Sequence, residues 1–272
     1  MFSESSTPAV FELERGDAPL LVSLPHDGSL IPADLRARLS ASAQPAPDTD
    51  WFVSRLYGFA RELGASVLRP THSRYVVDLN RPPDDVSLYP GQNTTGLCPQ
   101  VQFSGEAVYL PGEEPSPQEI RERVITWWQP YHDALRTELE RLRSRFGRVL
   151  LWEGHSIRSE LPFLFEGRLP DLSLGTAEGR SCSPELQARL EQVLVAQTQY
   201  SHVCNGRFKG GYITRHYGAP AEGIDAVQLE LAQCTYMDES AAQYLPERAA
   251  RLQNTLLQPL LEAGLEQLHR RV

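Results

Sequence analysis

Val149-Leu150-Leu151-Trp152-Glu153-Gly154-His155-Ser156 reads as a buried strand running out into a small polar turn. Leu20-Leu21-Val22-Ser23-Leu24-Pro25-His26-Asp27-Gly28 repeats the pattern. Short apolar runs bounded by turn-forming residues fit strands covered on both faces. Each run carries a histidine to its end, and the loops beyond the strand ends are where open α/β sheets build their sites.

Working outward, strands are expected at residues 19–25, 65–70, 75–79, 149–152 and 226–231, after a polar N-terminal arm or edge strand. Helical pieces are expected near 33–40 and over 51–63, the second capped by Asp48 or Thr49 and stopped at Gly64. Residues 82–115, rich in Pro, Gly, Asn and Thr, read as a long loop or flap. Ser116-Pro117-Gln118-Glu119 then joins a capping box to a proline at the first helical position. That helix is expected to reach about residue 146, kinked at Pro130 because proline removes a backbone donor. A loop to about 180, a helix over 183–199, a loop over 205–224 and a mostly helical end over 241–272, broken near Pro246 and Pro259, complete the chain. Alternation of helices with short apolar strands gives the expected fold class: α/β, with helices on both faces of a sheet.

No repeat or composition break divides residues 1–272, which read as a single domain. The net charge of -9 argues against a nucleic-acid surface. It leaves room for an acidic small molecule, because a few arginines act locally against the global sign. No apolar run approaches a membrane span, and the first residues lack the basic and apolar regions of an export signal, so a cytoplasmic location is expected. The four cysteines, Cys98, Cys182, Cys204 and Cys234, form no CxxC pair and read as structural thiols.

Four groups of residues can carry chemistry. His26 and His155 are candidate Zn²⁺ ligands, with a third to come from Asp48-Thr49-Asp50; Asp50 is preferred and Asp48 is second. Asp27 and Glu153 flank the histidines and are expected to point away. The alternative is a pair of hydrogen-bonded loop histidines with no metal. Arg74, Asn80 and Arg81, on one expected strand, can grip a carboxylate, or else the arginines pair with Asp78, Asp84 or Asp85. Glu230 shares a strand face with Gln228, and a glutamate inside an apolar strand needs a task or a partner unless that face is an exposed edge. The fourth group, Asn205 to His216, has paired glycines that let backbone amides approach a ligand, and adds Arg207, Lys209 and Arg215. Asn205, Gly211, Tyr212, Thr214 and His216 are its candidate substrate contacts, unless this is an ordinary solvated loop.

These segments resemble the N-formylglutamate amidohydrolase (deformylase) family. The matching strings are Ser23-Leu24-Pro25-His26-Asp27-Gly28, Asp48-Thr49-Asp50-Trp51, Ser73-Arg74-Tyr75-Val76-Val77-Asp78-Leu79-Asn80-Arg81-Pro82-Pro83-Asp84-Asp85 and Ser87-Leu88-Tyr89-Pro90-Gly91-Gln92-Asn93-Thr94-Thr95-Gly96-Leu97-Cys98-Pro99. Later come Glu153-Gly154-His155-Ser156-Ile157, Leu164-Phe165-Glu166-Gly167-Arg168-Leu169-Pro170-Asp171, the loop over 205–218 and Gln228-Leu229-Glu230-Leu231. The resemblance implies a metal-dependent amidohydrolase with a three-layer α/β/α fold, a mixed central sheet and a zinc-carboxypeptidase-like architecture. It also implies a distant relation to the aspartoacylase and succinylglutamate desuccinylase group. There an Asp-Leu-Asn-Arg string, here Asp78 to Arg81, holds the substrate carboxylate, and a late strand carries the catalytic glutamate, here Glu230. Two departures stand out. Family members often have His after Asp-Thr-Asp-Trp, where this chain has Phe52, and the HxxE string of carboxypeptidases is missing.

The expected reaction is hydrolysis of N-formyl-L-glutamate to formate and L-glutamate, the end of one histidine-degradation route. Zn²⁺, or another divalent metal, is expected on His26, Asp50 and His155, with Glu230 as general base. Arg74 steadies the oxyanion, and Arg74, Asn80 and Arg81 hold the carboxylates. The alternatives are a deacylase for another N-acyl acidic amino acid, or a non-catalytic module binding an acidic metabolite. A small acidic amino-acid derivative is the expected partner, with no nucleic acid or membrane; the oligomeric state is open.

Overall fold

The apolar runs become neighbouring strands of one mixed sheet in the computed structural model, which describes residues 9–87 and 94–269. The strands are β1 (Phe11–Glu14), β2 (Leu20–Ser23), β3 (Ser66–Pro70), β4 (Val149–Ile157), β5 (Leu172–Gly175), β6 (His202–Cys204) and β7 (Ile224–Ala232). Their spatial order is β1-β3-β2-β4-β7-β5-β6. β3, β2, β4 and β7 run parallel, β1 is antiparallel to β3, and β5 is antiparallel to β7. The helices are α1 (Ala33–Arg36), α2 (Val53–Leu56), α3 (Pro117–Arg123), α4 (Gln129–Phe146), α5 (Pro184–Ala196), α6 (Tyr212–Tyr217), α7 (Pro246–Leu252) and α8 (Gln258–His269).

Period-two alternation distributes the strand side chains between two cores. Leu20, Val22, Leu150, Trp152, Val227, Leu229 and Leu231 pack with leucines of α5, α7 and α8. Leu21, Val149, Leu151 and Ala226 face the other way, against Tyr131, Leu135, Leu139 and Leu142 of α4 and Ile213 of α6. The sheet is therefore covered on both faces, as expected for a parallel centre. Gly154 falls on the first of these faces, where a Cβ would lie 2.9 Å from the Tyr57 ring and 2.8 Å from Leu24.

The α3–α4 helix begins where expected, with the Ser116 hydroxyl accepting the Glu119 N–H and Pro117 opening the first turn, but the Glu119 carboxylate accepts from Arg38 and Arg123 instead of closing the box. Pro130 does disturb it, through one wide turn over Val124–Trp128 just before the proline. The same solution recurs over Gln253–Leu257 before Pro259. A widened turn leaves room for the ring and absorbs the missing donor.

Several expectations need correction. The strand expected at 75–79 is a series of turns. Asp78 accepts the Asn80 N–H at 2.8 Å and Ser73 accepts that of Tyr75 at 3.2 Å, so local side-chain bonds displace the ladder. Arg74 and Arg81 thus sit on a strap rather than on one strand. The helix over 51–63 is only α2 and a 3₁₀ turn at Gly58–Arg61, entered through Phe52 with φ +64°. Neither Asp48 nor Thr49 caps it; Asp27 accepts the Ser54 N–H instead, at 3.0 Å. β4 runs on to Ile157, which places His155 inside the strand and not beyond it. β7 is also longer than read, at Ile224–Ala232.

The stretches read as loops contain β5 and α6, β6 falls at residues 202–204 between the expected helix and loop, and a small ribbon, β8 (Met237–Asp238) with β9 (Gln243–Tyr244), leads into the C-terminal segment. Of the expected N-terminal arm, long flap and C-terminal end, residues 1–8, 88–93 and 270–272 lie outside the described residues. Among the described residues no helix is long and apolar enough to cross a membrane, and all four cysteines are free thiols.

Candidate active site

β4 and β7 pair in a register that sets Glu153 opposite Gln228 and His155 opposite Glu230. Alternation puts all four on the α4–α6 face, beyond the apolar Leu151 and Ala226. His26 arrives from the turn after β2. Its carbonyl accepts the Asp50 N–H at 3.1 Å, which draws the 48–50 segment to the same spot.

His26, Asp50 and His155 each offer a ligand atom, and the three atoms lie within 4.8 Å of one another. The two rings stand 4.9 Å apart, centre to centre. Asp50 Oδ2 lies 3.8 Å from His26 Nδ1 and 3.0 Å from His155 Nδ1. The far nitrogens are both engaged by carboxylates: His26 Nε2 with Asp78 at 2.7 Å, and His155 Nε2 with Glu153 at 2.7 Å. A neutral imidazole that gives its Nε2 proton to a carboxylate presents the Nδ1 lone pair as a ligand. The donor set of two imidazoles and one carboxylate therefore suits a divalent cation such as Zn²⁺, which would take the place of the proton shared between His155 Nδ1 and Asp50. Of the two aspartates left open by the sequence, Asp50 faces the histidines. Asp48 is turned away, accepting from the Tyr75 hydroxyl at 2.8 Å and the Phe103 N–H at 2.9 Å.

The charges are strongly coupled. Burial opposes ionisation of Asp78, but His26, Arg74 and Arg81 outweigh it and hold its carboxyl well below the usual range. Burial likewise opposes a charged His155, but Glu153 and Asp50 reverse the balance and hold its pKa well above the ordinary value. His26 is shifted down by burial and by Arg74. Burial pushes Glu230 up to about 8, partly offset by His155. Glu230 is 8% exposed, and no hydrogen bond reaches its carboxyl among the described residues.

His26, Asp50, His155 and Glu230 line a cleft of about 710 Å³, counting space open to solvent. Arg74, Asn80, Arg81, Arg207, Phe103 and Gly211 line it too. Arg74 pairs with Asp78 at 2.6 Å and lies over the Phe103 ring at 4.7 Å. Its Nε is buried with no hydrogen-bond partner. Arg81 donates to Thr95 and to its neighbour's carbonyl and makes no ion pair among the described residues. Gly211 must be glycine at this approach, since a Cβ would lie 2.3 Å from the Asn80 amide.

The other candidates from the 205–216 segment are not in the cleft lining. Asn205 accepts the Thr176 and Glu178 N–H groups and so braces a turn. Tyr212 and His216 stack on each other at 4.8 Å. Thr214 is buried behind Glu153, which accepts its N–H at 3.0 Å. Glu153, expected to point away, instead points at His155; the two-residue offset within one strand was the signal that would have found it. Asp78 appeared in the sequence only as a partner for the arginines, and its bond to His26 had no local signature. Phe52, the departure from the family pattern, packs on Tyr244 at 5.7 Å and does not line the cleft.

Residues 18–237 match the family model described as N-formylglutamate amidohydrolase. Two curated relatives are called N-formylglutamate deformylase. That from Pseudomonas aeruginosa is 52% identical over 256 residues, covering 94% of this chain and 96% of the relative. That from Pseudomonas putida is 51% identical over 256 residues, with the same 94% and 96% coverage. A crystal structure of N-formylglutamate amidohydrolase from Ralstonia eutropha JMP134 superposes with a TM-score of 0.83 at 27% identity, covering 97% of this chain and 100% of that one. A gene product from Agrobacterium tumefaciens, at 18% identity and a TM-score of 0.67 over 94% of this chain and 96% of its own, shares the fold. By sequence and by architecture, this chain belongs to the N-formylglutamate amidohydrolase family.

Proposed function

We propose that the chain acts as a single amidohydrolase domain that hydrolyses the formamide bond of N-formyl-L-glutamate, releasing formate and L-glutamate. The observation that carries this reading is one cleft holding both the His26–Asp50–His155 cluster and three arginines. The first suits a divalent cation and the second a substrate with two carboxylates. When bound, such an ion, Zn²⁺ in the first place, supplies Lewis acidity toward water and the formyl oxygen.

The protein's own groups do the rest. Arg81, with no carboxylate partner among the described residues, and Asn80 beside it hold a substrate carboxylate and bring the formyl carbon into line for attack. Arg74, with its unpartnered Nε and its place beside Asp50, faces the charge that grows on the formyl oxygen. Glu230 takes a proton from the attacking water as the new C–O bond forms. It returns that proton to the departing nitrogen as the C–N bond breaks. Burial raises the Glu230 carboxyl from its ordinary value toward the operating pH, which favours return of the proton in the second half of that exchange, and the positive charge of a bound cation would favour the ionised form needed in the first.

Formate release from N-formyl-L-glutamate, measured with and without a metal chelator, tests the reading. Stoichiometric formate and glutamate are expected, with loss of turnover on chelation and recovery on adding Zn²⁺. Tight binding of the substrate with no formate released would leave a binding module in its place.

A further inference from the structure

Thr214 is fully buried and outside the cleft, yet it is tied to the site through Glu153. Both its N–H, at 3.0 Å, and its hydroxyl donate to Glu153 Oε2. The other oxygen of that carboxylate, Oε1, meets His155 Nε2 at 2.7 Å, and His155 Nδ1 meets Asp50 at 3.0 Å. Neighbouring amides of the same turn act in parallel. The Gly211 N–H goes to Gln228 at 2.7 Å and the Ile213 N–H to Asn80 at 2.9 Å. One turn thus fastens three side chains, from β4, from β7 and from the strap.

A fully buried carboxylate is stable in one orientation only while its acceptor positions are filled. Without the Thr214 hydroxyl, Glu153 loses one of the two donors that fix Oε2, and the His155 ring loses a fixed partner. We propose that Thr214 is a positioning residue for His155, acting through Glu153, and that it sets the affinity of the His26–Asp50–His155 cluster for a divalent cation. The proposal rests on the metal-centre reading above.

The test is the Zn²⁺ affinity of the full chain, measured against a chromophoric chelator for wild type, Thr214→Val and Thr214→Ser. Near-ultraviolet circular dichroism reports native packing, and melting in excess chelator reports metal-free stability. Thr214→Val should bind Zn²⁺ roughly tenfold more weakly, at the lower end of the range for outer partners of a metal-bound histidine. Thr214→Ser, which keeps the hydroxyl, should stay near wild type, and KM for N-formyl-L-glutamate should not move in either. Wild-type Zn²⁺ affinity in Thr214→Val overturns the proposal, even if its metal-free melting temperature falls. Should Thr214→Val not fold, Glu153→Gln carries the test: tenfold or greater weakening supports the proposal and unchanged affinity overturns it. A wild-type chain that binds no Zn²⁺ overturns the metal-centre reading itself, and this proposal with it.

Discussion

The same three strands behave differently on their two faces. Toward α5, α7 and α8, the middles of β2, β4 and β7 are apolar, with Leu20 and Val22, Leu150 and Trp152, Val227, Leu229 and Leu231, and polar residues on this face stand only near the strand ends, at Asp225 and Ser156. Toward α4 and α6 each strand turns from apolar to polar, before β4 and β7 close on Ile157 and Ala232. Leu21 gives way to Ser23, Leu151 to Glu153 and His155, and Ala226 to Gln228 and Glu230. Because alternate residues point to opposite faces, a change on one face leaves the other side chains where they are. The apolar face supplies burial, and the polar half of its opposite supplies the chemistry. Substitutions two or three residues apart on one strand should therefore have effects of different kinds.

The largest expected effect lies on the polar half. Glu230→Gln keeps the shape and the burial of the side chain but cannot accept the proton of an attacking water. Turnover should fall by about 10²–10⁴-fold, read as formate released under saturating substrate, while Zn²⁺ content and the unfolding midpoint are retained. Near-normal turnover would remove Glu230 from the reaction.

One residue earlier, on the apolar face, Leu229→Ala should do the reverse. Leu229 is fully buried and pairs across to Gly154 and Leu174. Its truncation removes buried area and leaves a cavity, at a cost of about 2–5 kcal/mol in denaturant unfolding. The kcat of the molecules that remain folded should match wild type. A large loss of kcat in folded Leu229→Ala protein would mean that the two faces are not separable.

The separation also shows why some of this architecture can be read in the chain and some cannot. β2, β4 and β7 are legible because apolar runs need no partner to announce them. The capped start at Ser116 and the histidines at 26 and 155 are legible because cap and ligand chemistry are local. Glu153 is illegible as a partner of His155 while the strand is taken to end before the histidine; with β4 extending to Ile157, the two share a face. The strap over 73–81 was illegible for a different reason. Tyr75, Val76, Val77, Asp78, Leu79 and Asn80 are all buried, as in a strand, but their backbone groups bond to Ser73, Asp78 and Leu97 rather than to a ladder. Side-chain-to-backbone bonds of that kind depend on what surrounds them, and no periodicity records them. The α6 turn belongs to the same class, since Asn80, Glu153 and Gln228, far apart in sequence, accept its amides.

The mixed character of that face extends to the helix covering it, and this gives the smallest of the expected effects. α5 and α8 cover the apolar face with leucines, whereas α4 places His132 among Trp128, Tyr131, Tyr212 and Tyr217. His132 Nε2 lies 2.9 Å from the Leu79 carbonyl and Nδ1 2.9 Å from the Tyr217 hydroxyl, so a neutral ring satisfies both by donating through one nitrogen and accepting through the other. Burial lowers its pKa from 6.5 to about 3. Above 6.5 neither the folded nor the unfolded chain holds the extra proton, and the stability from the neutral ring is fully present. As the pH falls below that value the unfolded chain takes up a proton that the folded chain refuses, and stability is lost progressively down to about 3. The slope approaches ~1.4 kcal/mol per pH unit, so at pH 5.5 the histidine accounts for a loss of roughly 1.4 kcal/mol. His132→Gln cannot titrate. Between pH 7.5 and 5.5 its unfolding free energy should fall by about 1.4 kcal/mol less than that of wild type, with the remaining histidines cancelling in the difference. Equal losses in the two proteins would show that the folded ring takes up its proton as readily as the unfolded one, against the bonding seen at both of its nitrogens.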